Sequence, residues 1–430
     1  MNLIPDVLLD TVLAAMPDGA SRVLELGCGL PALRSTFMAA HPGVEWLAPD
    51  PAAPLELAAL GSGFDAVLLG PLLNAFTEPE RLLEALHEIS APHATLVCAL
   101  PNAGHISVLE RFLIGDIGYQ PGSLLAPDHA RLLSPTSAFK LLLDTGWLPE
   151  MVGQADTGLP ESVASARLLG AATALGLSRQ VAERQLGLAH MVLRAGKQSM
   201  QGLAQGGRFA PFSVIVPVSN PLSFDLNIAR SPGLREAGVD IIPVFGAHNA
   251  AEAYAQGAQQ AQHPWHMLVQ QDVYFPTGSG LGIAQQLGRL EAHGHWLGPV
   301  GFAGLEAEID LSNRLRYAGQ LIEPHQCFDH EGSQMGVSLH DCAVVLHRDA
   351  EVRIDPELGW DLWATDLCLQ ALKFSGGNSA AHILRAPLFL NNLQAGVSAP
   401  GLQDSARTLL AKHGEWSRIP TLSGQLSRNS

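Results

Sequence analysis

Two stretches of this sequence carry residues that can do chemistry. The first is Gln270-Gln271-Asp272-Val273-Tyr274-Phe275-Pro276, preceded by the apolar run Trp265 to Val269. That run reads as a buried strand, so Asp272 stands just past a strand's carboxyl end, where open α/β sheets collect their ligands. A carboxylate there can hold Mg²⁺ or Mn²⁺ against a diphosphate, because hard cations take oxygen ligands. It can equally cap the next element. The second stretch is Glu25-Leu26-Gly27-Cys28-Gly29. Glycines after a strand let the backbone approach a cofactor, and the helix that follows offers free amides. Asp50 lies beyond the next short strand, about 20 residues on, where an acid can bind a ribose hydroxyl.

These residues need two scaffolds to position them. A chain of 430 residues exceeds one ordinary core, so two domains are expected. With 47% hydrophobic and 15% charged residues, both can bury real cores. The formal net charge of −16 argues against nucleic acid or an anionic membrane surface as a partner. Cys28, Cys98, Cys327, Cys342 and Cys368 form no C-x-x-C pair, which excludes the usual zinc spacing and fits a reducing compartment. The start, Met1 to Met16, carries Asp6 and Asp10 and no basic region, so it is a poor signal peptide. No apolar run approaches the ~20 residues of a membrane span. The expectation is a soluble cytoplasmic protein without a transmembrane segment.

In the first half, Leu3, Val7, Leu8, Val12 and Leu13 recur at helical spacing. Arg22 to Leu26, Val44 to Leu47, Gly63 to Leu69, Ala94 to Asn102 and Leu188 to Arg194 read as strands, and Ala32 to Ala40 as a helix. Val163, Ala166, Leu168 and Leu169 have helical spacing, and Ser178 is placed to cap a further helix through Leu186. Residues 196–211, rich in Gly and Gln, read as a linker. Beyond it, Phe212 to Val218, Asp240 to Phe245 and Trp265 to Val269 are buried strands by composition. Asn249 to Gln262 is alanine-rich and helical. After Asn392 the sequence predicts loop, one helix over Ser405 to His413, and a mobile polar tail from Leu422.

The first half resembles the class I S-adenosylmethionine-dependent methyltransferases over about its first 196 residues. Glu25 with Gly27 and Gly29 matches their first motif. Gly63 to Leu69, Thr77-Glu78-Pro79 and Ala94 to Asn102 match later elements, and Asp128-His129-Ala130-Arg131 with Ser134-Pro135-Thr136 matches a loop of one branch. The resemblance implies a Rossmann-like sheet that binds S-adenosylmethionine through Glu25, Gly27, Gly29 and Asp50. Pro31 stands where the family has a third glycine. Pro51 to Ser62 is too short for the family's usual helix and third strand, and Asn74 replaces a common His.

The second half resembles the family 2 glycosyltransferases, nearest to a bacterial branch with an H-Q-D-V-Y motif. The matching segments are Ser213 to Val218, Ala250 to Ala253, Gln271 to Pro276, Val337 to Asp341 and Thr365 to Ala371. The resemblance covers residues 212–392 and implies the GT-A nucleotide-diphospho-sugar transferase fold. It further implies that Asp272 holds the metal and diphosphate, that Asp366 takes the acceptor's proton, and that Pro217 lies by the nucleotide base. Gly298 to Gly304 would be a loop close to the sugar. Gln270, Asp361 and Leu390 stand where this branch carries His, and Ala255 where it carries Asn. Asp361 would supply a substitute catalytic carboxylate. Trp360 and Trp363, on either side of it, would form a sugar-stacking face or core.

The expected architecture is therefore α/β with two domains. Residues 1–196 are methyltransferase-like, 197–211 the linker, 212–400 GT-A-like, and 401–430 a terminal helix and tail. The expected activity is transfer of a sugar from a nucleotide-sugar donor to a glycan or glycoprotein acceptor in surface polysaccharide or glycoprotein assembly. Two alternatives stand beside it: a bifunctional methyltransferase and glycosyltransferase, and a non-catalytic carbohydrate-binding or scaffold protein.

Overall fold

The computed structural model describes residues 5–29, 31–50, 57–121, 123–198, 207–294, 298–307, 315–324, 326–330, 335–375, 381–396 and 401–427. The chain divides into two compact units. One comprises Met1–Met200 with Pro324–Gln326 and Leu393–Gly396; the other holds the remainder.

The first unit is built on six strands: β1 (Arg22–Leu26), β2 (Glu45–Leu47), β3 (Phe64–Leu69), β4 (Ser90–Pro101), β5 (Trp147–Asp156) and β6 (Leu188–Lys197). Their order in the sheet is β2-β1-β3-β4-β6-β5. Strands β1 to β4 pair in parallel, whereas β6 runs antiparallel to both β4 and β5. The central strands are apolar runs, with Val23, Leu24, Val67, Leu68, Leu96 and Val97 fully buried, as parallel strands covered on both faces must be. The carboxyl ends of β1, β3, β4 and β5 share one edge with the start of β6, since His190 pairs with both Pro101 and Ala155.

Pro31 is the first residue of the helix Pro31–Ala40, a position where its missing N–H costs nothing. Between β2 and β3 the described chain makes only a 3₁₀ turn, Leu57–Leu60, and the sheet ends at β2. Ser178 caps the helix Arg179–Gly187 by accepting the Val181 amide, as its sequence position predicts. The opening helix is Leu9–Ala15 behind a 3₁₀ turn Asp6–Leu8, and Leu3 lies outside the described residues. Strand β5 escapes sequence reading because Pro149 and Gly153 interrupt it. As an edge strand with irregular register it tolerates both. Gly196 and Lys197 belong to β6 rather than to a linker. Lys197 pairs with Trp147, and its ammonium donates to the Ser90 carbonyl at 2.9 Å. Residues 199–206 of that linker lie outside the described residues.

The second unit carries β7 (Phe212–Val218), β8 (Asp240–Phe245), β9 (Trp265–Val269), β10 (Val273–Tyr274), β11 (Val300–Gly301) and β12 (Ala303–Ala307). It continues with β13 (Leu315–Glu323), β14 (Gln326–His330), β15 (Met335–Leu339), β16 (Ala343–His347), β17 (Ala381–Ile383) and β18 (Leu388–Leu390). They form one mixed sheet in the order β10-β18-β13-β12-β15-β17-β11-β16-β9-β7-β8, with β14 attached to β13. Strands β8, β7 and β9 are parallel, and β16 runs antiparallel beside β9.

Two expectations are corrected here. Gly301 and Gly304 sit in strands, not in an open loop. A side chain at Gly304 would stand 2.4 Å from the Ser338 carbonyl, and one at Gly301 2.7 Å from Leu339. Bare backbone there lets neighbouring strands close up. The polar tail is also ordered through Ser427, as β19 (Arg418–Thr421) pairs with β20 (Gly424–Ser427) and buries Ile419. Among the described residues, no helix is long and apolar enough to cross a membrane.

Candidate functional site

In the first unit, β1 runs into Gly27 (φ 66°) and Gly29 (φ 64°), both in the left-handed region that favours glycine. A side chain at Gly27 would stand 2.6 Å from the Leu72 Cβ, and one at Gly70 2.3 Å from the Gly27 carbonyl. The turns after β1 and β3 therefore pack directly on each other. Glu25 is 9% exposed and accepts the indole N–H of Trp46 at 2.8 Å. It ties β1 to β2, whose chain continues to the exposed Asp50. The structure places Glu25, Gly27, Gly29 and Asp50 at one edge, with Glu25 bonded to Trp46.

Three further residues on this edge were not assigned roles from sequence. The Asn74 carbonyl accepts the amides of Ala130 and Arg131 at 2.7 and 2.9 Å, and its Nδ2 donates to the Arg131 carbonyl at 3.0 Å. This grip fixes the loop Asp128 to Arg131. His105 caps the helix Ile106–Ile114: its Nδ1 accepts the Ser107 amide, so Nε2–H donates to Thr157 Oγ1 at 2.7 Å. Both ring nitrogens are committed to structure. Burial, with His105 nearby, pushes the His190 imidazole down to about 4, so it is neutral near pH 7. A groove of about 420 Å³ in this unit is lined by Gln154, Asp156, Leu159, Gln180, Glu183 and Arg184 among others.

In the second unit the turn after β9 is fastened at its base. Gln270 donates its amide to the Cys342 carbonyl at 2.8 Å. The Gln271 side-chain oxygen accepts the amides of Ser219 and Asn220 at 3.0 and 2.8 Å, locking this turn to the one after β7. Pro217, half-buried in β7, lies just ahead of that lock. Asp272 is half-buried and its carbonyl accepts the Asn391 amide at 3.0 Å.

Around this turn the sheet gathers carboxylates. The buried Cys342 thiol is pushed well up by burial first, then by Glu323, Asp272 and Asp341 around it. Burial raises Glu323 too, opposed by a 3.1 Å hydrogen bond from Asn392. Asp341 accepts the amides of Leu362 and Ala364 at 3.1 and 2.9 Å. Burial, aided by the charge of Asp361, still pushes it up to about 7. Burial also raises Asp361, which stands on the elbow before the helix Trp363–Phe374. Glu323 and Asp341 carried no sequence signal beyond the matched segment Val337 to Asp341.

Asp366 has a different task from the one its sequence position suggests. It is 0% exposed. One oxygen takes Gln370 Nε2 at 2.6 Å and Lys412 Nζ at 2.9 Å, and the other meets His413 Nε2 at 2.7 Å. A general base must reach the acceptor's oxygen, and both oxygens here pin the helix Leu402–Lys412. Trp363 is core at 3% exposure, while Trp360 is 41% exposed. Leu390 pairs with Val273 and is buried. Among the described residues, no group of three or more His, Cys, Asp or Glu can hold a metal ion.

No family model matches the chain, and no curated protein matches it. Solved structures match less than half of the chain, each at low identity. A SAM-dependent methyltransferase from Archaeoglobus fulgidus is 16% identical, with 44% of this chain covering 92% of that one at a TM-score of 0.31. A possible histamine N-methyltransferase from Thermotoga maritima is 16% identical, covering 44% and 87% at 0.27. The N-terminal domain of EvdMO1 with SAH bound is 19% identical, covering 45% and 83% at 0.28. At these identities and scores the likeness carries no residue roles.

Proposed function

We propose that the chain is a two-site transferase whose first unit binds S-adenosylmethionine and transfers its methyl group. The observation that carries this is the edge of the first sheet. A central strand, β1, ends in a turn with Gly27 and Gly29 at positive φ, and the helix Pro31–Ala40 starts at once. Asp50 lies on the same edge past the neighbouring strand β2. Strand ends, free helix amides and an acid for ribose hydroxyls are what a nucleoside-bearing cofactor needs. S-adenosylmethionine, when bound, supplies an electrophilic methyl group. The chain would hold its ribose at Asp50, with the Glu25–Trp46 bond fixing β2 for that purpose. Titration calorimetry with S-adenosylmethionine tests this: saturable heat that Asp50→Ala weakens supports it, and no heat at millimolar concentration removes it.

A second reading concerns the second unit. The parallel set β8-β7-β9 with β16 reversed beside it, and the Asp272 turn locked by Gln271 to Ser219 and Asn220, favour a GT-A-type nucleotide-sugar site. Asp361, rather than Asp366, is the carboxylate free to meet an acceptor hydroxyl. No step is assigned to a cation. Loss of UDP-, GDP- or dTDP-sugar binding in Asp272→Ala, with the thermal midpoint unchanged, supports the reading. Binding of none of them by the wild type leaves a carbohydrate-binding or scaffold role for this unit.

A further inference from the structure

Buried polar side chains at the strand ends of the first unit fall into two kinds. Asn102, just past β4, is buried and fully bonded. Its Nδ2 donates to the Gln185 and Leu188 carbonyls at 3.0 and 2.8 Å, and its Oδ1 accepts the Gly104 amide at 2.8 Å. His105 likewise has both ring nitrogens committed. Asn74 and His129 differ. Asn74 is 1% exposed, and its Oδ1 has no hydrogen-bond partner among the described residues; His129 is 7% exposed, and neither ring nitrogen has one. Unpaired polar atoms at such depth are costly, and each calls for a cause. The two residues also belong together. Asn74 sits in the short helix Leu72–Ala75 after β3, and the amides its carbonyl accepts are those of Ala130 and Arg131, which directly follow His129. Leu72 of the same helix packs on the Gly27 turn. Burial pushes the His129 imidazole below its ordinary value, against Asp128 and the Leu124 carbonyl, so the ring is neutral near pH 7. That carbonyl lies near the ring without closing a hydrogen bond, and an N–H facing it leaves the other nitrogen with a lone pair.

We propose that Asn74 and His129 together bind a primary amino group. Asn74 Oδ1 and the His129 lone pair are two acceptors without a donor, and an NH₂ group brings two N–H donors. A hydroxyl brings one and leaves an acceptor bare, and a phosphate or carboxylate brings none. A full charge is penalised at this depth, so the amine binds neutral, which favours an arylamine. With both hydrogens engaged, its nitrogen lone pair is left free to react. As a methyl acceptor the amine rests on the S-adenosylmethionine reading of this unit; as a bound ligand it does not. In that transfer the lone pair forms the new N–CH₃ bond, and the methyl carbon's bond to sulfur breaks with its electron pair staying on sulfur. The surplus proton on nitrogen passes to the His129 lone pair. The secondary amine keeps one N–H for Asn74.

Saturation-transfer NMR on the full chain tests it, with aniline and benzylamine as probes and phenol as the one-donor control. The expected result is transfer to at least one amine, clearly above that to phenol. It should fall at least tenfold in His129→Phe and survive in His129→Gln, whose side-chain oxygen still accepts. Transfer to neither amine, equal transfer to phenol, or equal transfer in wild type and His129→Phe overturns it. His129→Phe should also raise the thermal midpoint by about 2–4 °C, since an apolar ring replaces unpaired polar atoms. A lowered midpoint makes the imidazole a packing residue and overturns the proposal. Calorimetry with S-adenosylmethionine runs in parallel. Cofactor binding without amine binding removes this site alone, whereas amine binding without cofactor binding keeps it and removes the methyl-transfer reading.

Discussion

The Asp341 carboxylate accepts the Leu362 amide at 3.1 Å and so holds the described chain's one left-handed non-glycine residue. Asp341 is raised from 3.8 to about 7, with burial as the main cause. In the fold it binds its proton more tightly than in the unfolded chain. Its contribution to stability is therefore full below the unfolded value of 3.8 and is lost as pH rises to about 7. At about 1.36 kcal/mol per pH unit, the loss is at most ~4 kcal/mol. Asp341→Asn should flatten the stability profile over that window, measured by urea unfolding at several pH values. An unchanged slope would contradict the assignment.

Asp366 should prove structural. Removing it leaves the buried His413 Nε2 without its partner and leaves Lys412 with Asp355 alone. Breaking a buried ion pair costs about 3–5 kcal/mol. Asp366→Ala should lose that much in urea unfolding, and amide exchange should speed up in the helix Leu402–Lys412. A loss below about 1 kcal/mol, the range of exposed pairs, would show that the pair carries little.

Gly27 and Asp50 should separate structure from binding. Gly27→Ala puts a Cβ 2.6 Å from that of Leu72 at a φ of 66°, so strain and overpacking act together. A loss of about 2–4 kcal/mol is expected. Asp50→Ala, at an exposed position, should change stability by no more than about 0.5 kcal/mol. Thermal unfolding of the two variants checks both numbers.

The thiols of Cys28, Cys98, Cys342 and Cys368 are buried and burial pushes each of them up. The reactive species is the thiolate. Mass spectrometry after iodoacetamide should find these four unmodified in the native protein and modified in urea. Native labelling of Cys342 would show that the carboxylate-ringed turn opens in solution.

Strands were legible where burial is continuous. Trp265 to Val269 is an unbroken apolar run, and all five residues are buried. The glycine turn was legible from its residue types, and the helix read from Ala32 begins one residue earlier, at Pro31. Features set by distant partners were not. Asp366 looks like an acceptor-side acid until Lys412 and His413, far along the chain, close over it. Gly301 and Gly304 look like a loop until Ser338 and Leu339 arrive across the sheet. Glu323 and Asp341 have no local signature, since they come together with Asp272 around Cys342 from segments far apart in sequence. The tail from Leu422 reads as solvated because its order comes from the hairpin partner β19 and from Leu426 packing on the core.

The most direct test of the account is titration calorimetry of the wild-type chain and Asp50→Ala with S-adenosylmethionine. The account predicts one saturable site in the wild type and about tenfold weaker binding in the variant, equivalent to roughly 1.4 kcal/mol. Absence of heat in the wild type at millimolar cofactor, with the protein folded, would contradict a methyl-transferring first unit.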